Sequence, residues 1–283
     1  MCILKFMLFS CVICIFFSCS SFHKEQLENA LSFATFNRLE LEKVLKHYEH
    51  DSLKLEAAKF LIRNMPHCYS YQQGGEMDSV KRVRTYYSPF GQIDQTYARR
   101  WGHYTYRNLP KIYDAHIITA EYLIDNIDRA FDNWQKRPWN RSLSFEDFCE
   151  YLLPYRIGDE PLEEWRELYE KKYGYLLDSI YKGSDVVEAA NLVSRHLQEP
   201  VFIYCEDFEL PHIGPRYLFS HRYGSCVDAA DIVTYAFRAV GIPCMEDTDA
   251  RGGHVWNVVR DTTESDVPIW YIASEARSEE RRV

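Results

Sequence analysis

Apolar residues at helical spacing dominate the chain before residue 198. They recur at every third or fourth position between Asp51 and Met65, and the same spacing returns between Asp114 and Trp134. Cap, proline and spacing signals predict three further helices: Ser144 to near Pro154, Pro161 to about Tyr181, and about Ser184 to Leu197. This part of the chain is therefore predicted to be largely helical.

The pattern changes after Pro200. Residues 201–205 have strand character, and residues 206–223 contain proline and glycine without periodicity, so we expect a loop there. One apolar side runs from Cys226 to Val240 and predicts a helix, which Gly241 and Pro243 end. Three short β-type runs follow, at 242–245, 254–259 and 267–272. This order predicts an α+β fold.

Composition excludes some classes of function. The formal net charge is −9 and no basic block offsets it, which argues against a nucleic-acid partner. The 283 residues suffice for one large domain or two small ones with ample core. The 21 Tyr, 16 Phe and 6 Trp suit a well-packed exported protein.

The N-terminus has the pattern of an export signal. Lys5 precedes an apolar run, Phe6 to Phe17, that is too short to span a bilayer comfortably. The run ends in Ser18-Cys19, which resembles a loose bacterial lipobox. We expect residues 1–18 to be a signal peptide and Cys19 to carry lipid in the bacterial cell envelope, at the outer membrane, facing the periplasm or the surface. An uncleaved anchor and an ordinary secretory signal remain alternatives.

Five cysteines follow Cys19: Cys68, Cys149, Cys205, Cys226 and Cys244. An odd number in an exported chain predicts that one thiol is free. After Cys19 the sequence has no C-x-x-C pair and no Cys/His cluster with zinc-ligand spacing, so we expect neither a metal site nor a cofactor.

Cys226 is the first candidate for chemistry. It stands where a glycine-containing loop turns into the predicted helix, and the free N–H groups and dipole of a helix start favour a thiolate. The same N–H groups can receive an oxyanion. A small buried cysteine, or half of a disulfide with Cys205 or Cys244, is the alternative interpretation. Asp228 and Asp231 are interpreted as helix-start carboxylates and Arg222 as a solvated loop charge.

His254 is the second candidate, because it begins a β-type run. On a strand it shares a face with Trp256, so the indole can shield and orient the imidazole, while Val255 and Asn257 face the other way. A cysteine at a helix start followed by a histidine on a strand is the order that a thiol–imidazole pair needs. We expect the two to meet across the helix–sheet interface.

Three segments together resemble the core of the transglutaminase-like superfamily: Gly224-Ser-Cys226, Ala236-Phe-Arg-Ala-Val-Gly-Ile-Pro243 and Gly253-His-Val-Trp-Asn257. The resemblance covers roughly residues 184 to 273. The upstream stretches Leu39 to His47 and Leu153 to Pro161 resemble large exported lipoproteins of Bacteroidetes-type bacteria that carry this domain. The implied organisation is a helical region at 19–183 and a transglutaminase-like core at 184–283.

The resemblance implies a papain-related fold, with a nucleophile helix packed on a small antiparallel sheet and a Cys–His–Asp triad. Cys226 is then the nucleophile, His254 the base and Trp256 a substrate-binding residue. The sequence departs from the pattern at the acid, because Ser274 stands at the expected position and Glu275 one place later. A bulge could bring Glu275 round, whereas Asp261 and Asp266 fit worse. Only a short polar tail follows Glu275, which leaves open a truncation at the C-terminus.

The expected function is that of an exported thiol enzyme acting on an amide bond of a protein, peptide or glycoprotein. Hydrolysis by a protease or amidase is preferred over cross-linking and deglycosylation. The alternative is a non-catalytic lipoprotein that binds a protein or glycan through a degenerate transglutaminase-like domain. The displaced acid and the abrupt end favour this alternative.

Overall fold

The computed structural model describes residues 21–75, 77–78, 81, 106–198, 202–204, 211–251, 253–262 and 269–272, and these form a mixed α+β structure. The helices are α1 (21–33), α2 (Arg38–His47), α3 (Ser52–Asn64), α4 (Ala120–Lys136), α5 (Phe145–Tyr151), α6 (Arg166–Tyr175), α7 (Val186–Leu197), α8 (Pro215–Ser220) and α9 (Cys226–Val240). The strands are β1 (Tyr69–Tyr71), β2 (Lys111–Tyr113), β3 (Ile203–Tyr204), β4 (Tyr223–Gly224), β5 (Cys244–Thr248), β6 (Val255–Asp261) and β7 (Ile269–Ile272). Residues 1–18, Cys19 and Glu275 lie outside the described residues.

The first of two large apolar cores lies among helices α1 to α5. Apolar stripes of α2 and α3 pack against α4, as their three- and four-residue spacing requires. Aromatic rings fill its centre: Phe131 and Phe148 are buried, and Trp134 stacks on Phe148 with ring centroids 4.4 Å apart. This core is the body of the N-terminal helical region.

The second core surrounds α9. Helix α6 packs along α9 and brings Tyr169 and Tyr173 against Tyr235 and Phe237, all of them buried. Strands β5 and β6 cover another side of the same helix. Since α6 precedes residue 184, part of the upstream helical region helps to hold α9. The division at residue 184 itself stays a prediction.

A three-stranded antiparallel sheet, in the order β5-β6-β7, follows α9. Glu246 of β5 lies opposite Asn257 of β6, and both side chains reach Thr234 of α9. Alternate residues of these strands therefore face the helix. Two small sheets complete the described strands, an antiparallel pair β1–β2 and a parallel pair β3–β4.

A buried polar seam separates the two cores. Arg166, at the start of α6, donates to Asn126 and to the carbonyls of Leu152 and Leu153, which end α5. It also donates to the carbonyl of Arg238 in α9. Burial lowers the pKa of Arg166 to about 9. The Arg166 guanidinium thus links α6 to α4, to the end of α5 and to α9, which belong to both cores.

Several predicted elements are confirmed. Helix α3 begins after its Asp51 cap, α5 begins after Ser144, whose Oγ accepts from the Asp147 N–H at 3.0 Å, and α7 ends at Leu197 as expected. Helix α9 spans the predicted residues 226–240 and ends at Gly241, whose φ of 82° is the left-handed conformation that glycine favours.

The predicted start of the helix at Asp114 is wrong, because α4 begins at Ala120 after its Thr119 cap. Asp114 is instead fully buried and accepts hydrogen bonds from Tyr155 and Arg156. A carboxylate committed to distant partners fixes a separate short turn, Asp114–His116, before the helix starts.

Two further predictions are wrong in their bounds. The helix expected from Pro161 begins at Arg166. Residues before it are held by other contacts: Glu163 accepts from the Arg216 N–H, and the Trp165 indole donates to the Tyr155 carbonyl. The loop expected at 206–223 contains α8, which has Pro215 in its first turn. Strand β4, which pairs with β3, follows α8.

Candidate functional site

Cys226 is the first residue of α9, as the sequence predicts. Its thiol is free and half-buried. Ser225 precedes it in an extended conformation, and both the backbone N–H and the hydroxyl of Ser225 donate to Asp228 Oδ2, at 2.7 Å and 3.0 Å. This confirms Asp228 as a carboxylate of the helix start, and the bonds fix the geometry of the chain at Cys226.

Gly224 has a steric reason to be glycine. A Cβ on this residue would lie 2.3 Å from Asp228 Oδ2 and 2.5 Å from Asp228 Cβ, closer than real Cβ contacts come. The Gly-Ser-Cys motif therefore serves the cap: glycine lets the carboxylate approach, serine binds it, and cysteine opens the helix.

His254 lies one residue before β6, at the edge of the sheet. Its carbonyl accepts from the Asp249 N–H at 3.2 Å and from Thr248 Oγ1 at 3.0 Å, which closes the turn between β5 and β6. Its imidazole is exposed, and its ring centroid lies 5.9 Å from that of Trp256. The prediction that His254 shares a side with Trp256 is confirmed.

The helix-facing side of β6 carries Asn257 rather than Trp256. Asn257 Nδ2 donates to the Ala230 carbonyl at 3.0 Å and to Thr234 Oγ1 at 2.8 Å. Since strand residues alternate, His254 and Trp256 belong to the side turned away from these contacts. Val259 of β6 nevertheless pairs with Cys244, which follows the C-terminal end of α9. His254 lies at the opposite end of β6, and therefore on the side of the N-terminal end of α9, where Cys226 is.

The structure therefore brings Cys226 and His254 to the same end of the helix–sheet unit, but no hydrogen bond joins these two described side chains. Apo sites often have long or missing catalytic hydrogen bonds that tighten when substrate binds. The thiol–imidazole pair stays a prediction.

Trp256 is half-buried, and its Nε1–H is buried without a hydrogen-bond acceptor. A buried donor without an acceptor costs free energy, so the unpaired indole N–H of Trp256 requires an explanation. Its role as a substrate-binding residue stays a prediction. Glu275, expected as the third member of the triad, lies outside the described residues, as does Asp266, whereas Asp261 is buried at the end of β6.

The sequence interpretation missed a buried polar cluster on α9. Asp231 is fully buried, and each of its carboxylate oxygens lies 2.9 Å from His212 Nδ1. Glu246 of β5 faces the same carboxylate and accepts from Thr234 Oγ1 at 3.0 Å. We call His212, Asp231 and Glu246 the α9 acid cluster. Treating Asp231 as a helix-start carboxylate for the dipole was wrong.

The protonation of this cluster departs from that of exposed groups. Burial opposes charge on His212, but the charge and hydrogen bond of Asp231 outweigh it and raise the pKa of His212 to about 10. Burial, followed by the charge of Asp231, raises the pKa of Glu246 to about 9. Burial raises the pKa of Asp231 as well. Near neutral pH the three groups together therefore retain protons that exposed groups would have lost.

One signal in the sequence points to this cluster. Asp231 interrupts an apolar stretch, Ala229-Ala-Asp-Ile-Val233, in the middle of a buried helix. A carboxylate in such a place requires a partner. Its partner could not be read from the sequence, because His212 lies 19 positions away in a segment without periodicity.

Arg222 also differs from its interpretation as a solvated charge. It is buried and donates to the Leu197 carbonyl at 2.9 Å and to the Tyr173 hydroxyl at 2.6 Å. Arg222 therefore attaches the chain before Cys226 to α6 and α7.

The other described cysteines are also free thiols. Cys68, Cys149 and Cys244 form no disulfide, so the expectation of a single free thiol is wrong, and Cys205 lies outside the described residues. Burial raises the pKa of Cys68 to about 11 and those of Cys149 and Cys244 to about 12. These three thiols are poor nucleophiles at neutral pH.

A cavity of about 500 Å³ lies among α1, α3 and α5, in the N-terminal helical region. Phe60, Arg63 and Cys149 are among the residues that line it. It is not the Cys226 site. Across the described ranges, no group of His, Cys, Asp or Glu has the arrangement of a metal site, and none of the helices has both the length and the apolarity to cross a membrane.

In comparisons with known proteins, no family model, no curated protein and no solved structure matches this chain.

Proposed function

We propose that the chain is an exported thiol enzyme of the transglutaminase-like superfamily that hydrolyses an amide bond. Its core, residues 184–283, would have the papain-related arrangement, and its substrate would be a protein, peptide or glycoprotein. Lipid on Cys19 would hold it at the bacterial cell envelope. No metal or cofactor enters the mechanism.

The observation that supports this proposal most is the position of the Cys226 thiol. It is free, half-buried and carried by the first residue of a 15-residue helix, next to an antiparallel sheet. The first-turn N–H groups of that helix lack intrahelical acceptors, so they favour a thiolate and can receive an oxyanion.

The reaction would take place in two halves. The Cys226 thiolate attacks the amide carbonyl carbon, and the carbonyl oxygen becomes an oxyanion held by the N–H groups of the first turn of α9. The C–N bond then breaks, the amine leaves with a proton from the His254 imidazolium, and a thioester remains. In the second half, His254 takes a proton from water, the hydroxide adds to the thioester, and the free acid and the thiolate are released.

Labelling with a thiol-directed electrophile at pH 7 tests the nucleophile. We expect wild-type protein to be modified at Cys226, and Cys226→Ala to lose this modification. The chain offers matched controls, since Cys149→Ala and Cys244→Ala remove buried thiols whose pKa values burial raises to about 12. Equal labelling of the Cys226 variant and the wild type would show that another thiol is the reactive one.

The second candidate is a lipoprotein that binds a protein or glycan without catalysis. It is favoured by one observation: the His254 imidazole is exposed and makes no hydrogen bond to Cys226. A labelled Cys226 in a protein that releases no amine from any peptide or glycopeptide of a diverse library would favour this candidate.

A further inference from the structure

Two carboxylates of α9 hold opposite ends of one chain segment. Asp231 binds the imidazole of His212, and Asp228 binds the N–H and hydroxyl of Ser225. The residues between these ends include α8 and β4, and Cys226 follows directly. We call residues 212–225 the approach segment. Its two ends are held by these contacts with α9. Between them it is held by Arg222, by the Tyr169 hydroxyl, which donates to the Pro215 carbonyl, and by Glu163, which accepts from the Arg216 N–H.

The His212 end of the approach segment is closely surrounded. The His212 N–H donates to Asp159 Oδ1 at 2.9 Å, and a Cβ added to Gly158 would lie 2.3 Å from the imidazole. Only glycine at 158 allows the ring to take this place. The side chain of His212 is 24% exposed, whereas that of Asp231 is 0% exposed.

Carboxyl groups face His212 from every element that packs on it. Asp231 belongs to α9, Glu246 belongs to β5, and Glu160 and Asp159 belong to the loop before α6, while Asp228 of α9 acts on Asp231. The Glu160 carboxylate already accepts the N–H groups of Ile157 and Gly158, at 2.7 Å each. With so many acids around one imidazole, the cluster is stable only if it retains protons.

We propose that the α9 acid cluster is a proton-dependent latch: while His212 and Glu246 hold their protons, the cluster fixes the approach segment and hence Cys226, and loss of a proton at alkaline pH releases that segment. His212, Asp231 and Glu246 are positioning residues here, since they act through the chain that carries Cys226. The proposal holds whether or not Cys226 is catalytic.

The sign of the pH dependence follows from the raised pKa values. His212 titrates near 10 in the folded protein and near 6.5 in the unfolded chain, and Glu246 near 9 against 4.5. Between about pH 6.5 and 9 the folded state therefore binds more protons, and stability falls as the pH rises. Each extra proton lowers the folding equilibrium constant about tenfold per pH unit.

Glu246→Gln is the sharpest variant. A glutamine amide can accept from Thr234 Oγ1 and donate to Asp231 as the protonated Glu246 does, but it cannot ionise. We expect the number of protons linked to unfolding between pH 6.5 and 9, measured by urea titrations of the full chain, to fall by about one. Glu150→Gln, an exposed change on α5, is the matched control and should leave the linkage unchanged.

Hydrogen exchange read by mass spectrometry, corrected for the intrinsic pH dependence, localises the effect. We expect peptides covering 212–225 in the wild type to lose at least tenfold protection between pH 7 and 9.5, while peptides of α4 keep theirs. Glu246→Gln should keep the approach segment protected at pH 9.5. In His212→Gln the segment should lack protection at all pH values.

Two results would overturn the proposal. One is an unchanged proton linkage in Glu246→Gln. The other is a wild-type loss of protection that is uniform over the chain, which would mean global unfolding without a latch. Should His212→Gln fail to fold, the Glu246→Gln measurements decide alone.

Discussion

Gly224→Ala tests whether the chain before Cys226 is as tightly built as the contacts indicate. The new Cβ would lie 2.3 Å from Asp228 Oδ2 and 2.5 Å from both Asp228 Cγ and Cβ. Rotation of the carboxylate cannot relieve the contact with Cβ, so the first turn of α9 must move. We expect Asp228 to lose its bonds to Ser225, at 2.7 Å and 3.0 Å, in the same step.

The magnitude combines two costs. Overpacking of a closely packed place costs ~1–3 kcal/mol. Loss of the helix cap costs a further ~0.5–2 kcal/mol. We therefore expect Gly224→Ala to lower the free energy of unfolding by about 1.5–5 kcal/mol, a large share of the usual stability of a domain.

Urea unfolding followed by far-UV circular dichroism measures this loss, and the labelling rate of Cys226 reports whether the helix start has moved. Gly253→Ala is the matched control, because a Cβ there would lie 3.7 Å from the nearest atom, an ordinary contact. A Gly224→Ala protein as stable as wild type, with an unchanged labelling rate, would refute the packing argument.

Two more predictions concern parts of the chain away from α9. Arg166→Met should lower the free energy of unfolding by about 3 kcal/mol, because it removes the Arg166 donors to the buried Leu152 carbonyl and Asn126 Oδ1. Urea titration beside the exposed control Arg141→Met checks this, and equal stability of the two variants would contradict it. Cys19→Ala should abolish the acyl mass on the mature N-terminal peptide and move the protein out of the membrane fraction, and an unchanged acyl mass in the variant would contradict lipidation at Cys19.

Local signals in the sequence were sufficient where an element depends on its own residues. The apolar side of α9, its cysteine start and its Gly241 exit all lie within 16 consecutive residues, and the structure has that helix with these bounds. The β5-β6-β7 sheet was likewise predicted in kind, although β5 and β6 begin and end later than the apolar runs. Such ends depend on pairing between strands rather than on one strand.

The predictions that are wrong concern polar residues whose contacts lie far away in the sequence. Asp114 looked like the beginning of a helix, but Arg156, 42 positions away, holds its carboxylate in a separate turn. Arg222 looked like a surface charge, but Tyr173 and Leu197 hold it in the interior. His212 lies in a segment without periodicity, so no sequence pattern near it indicates its contact with Asp231. Polar residues of this kind acquire their role from tertiary contacts, which spacing does not encode.

The candidate site also has some features that follow from local spacing and others that depend on tertiary contacts. The position of Cys226 at a helix start and the common side of His254 and Trp256 follow from spacing, and both are confirmed. The distance between thiol and imidazole depends on how α9 lies across the sheet, and Asn257 and Glu246 rather than His254 occupy the central contact with the helix. Strand alternation therefore limits what an H-x-W pattern alone can establish.

The rate at which iodoacetamide alkylates Cys226 at pH 6.5, compared between wild type and His254→Gln, tests the central claim most directly. If the imidazole holds the thiol as a thiolate, the rate should fall about tenfold or more in the variant, while the rates of Cys149 and Cys244 stay the same. Equal rates at Cys226 in the two proteins would contradict the proposed thiol–imidazole pair.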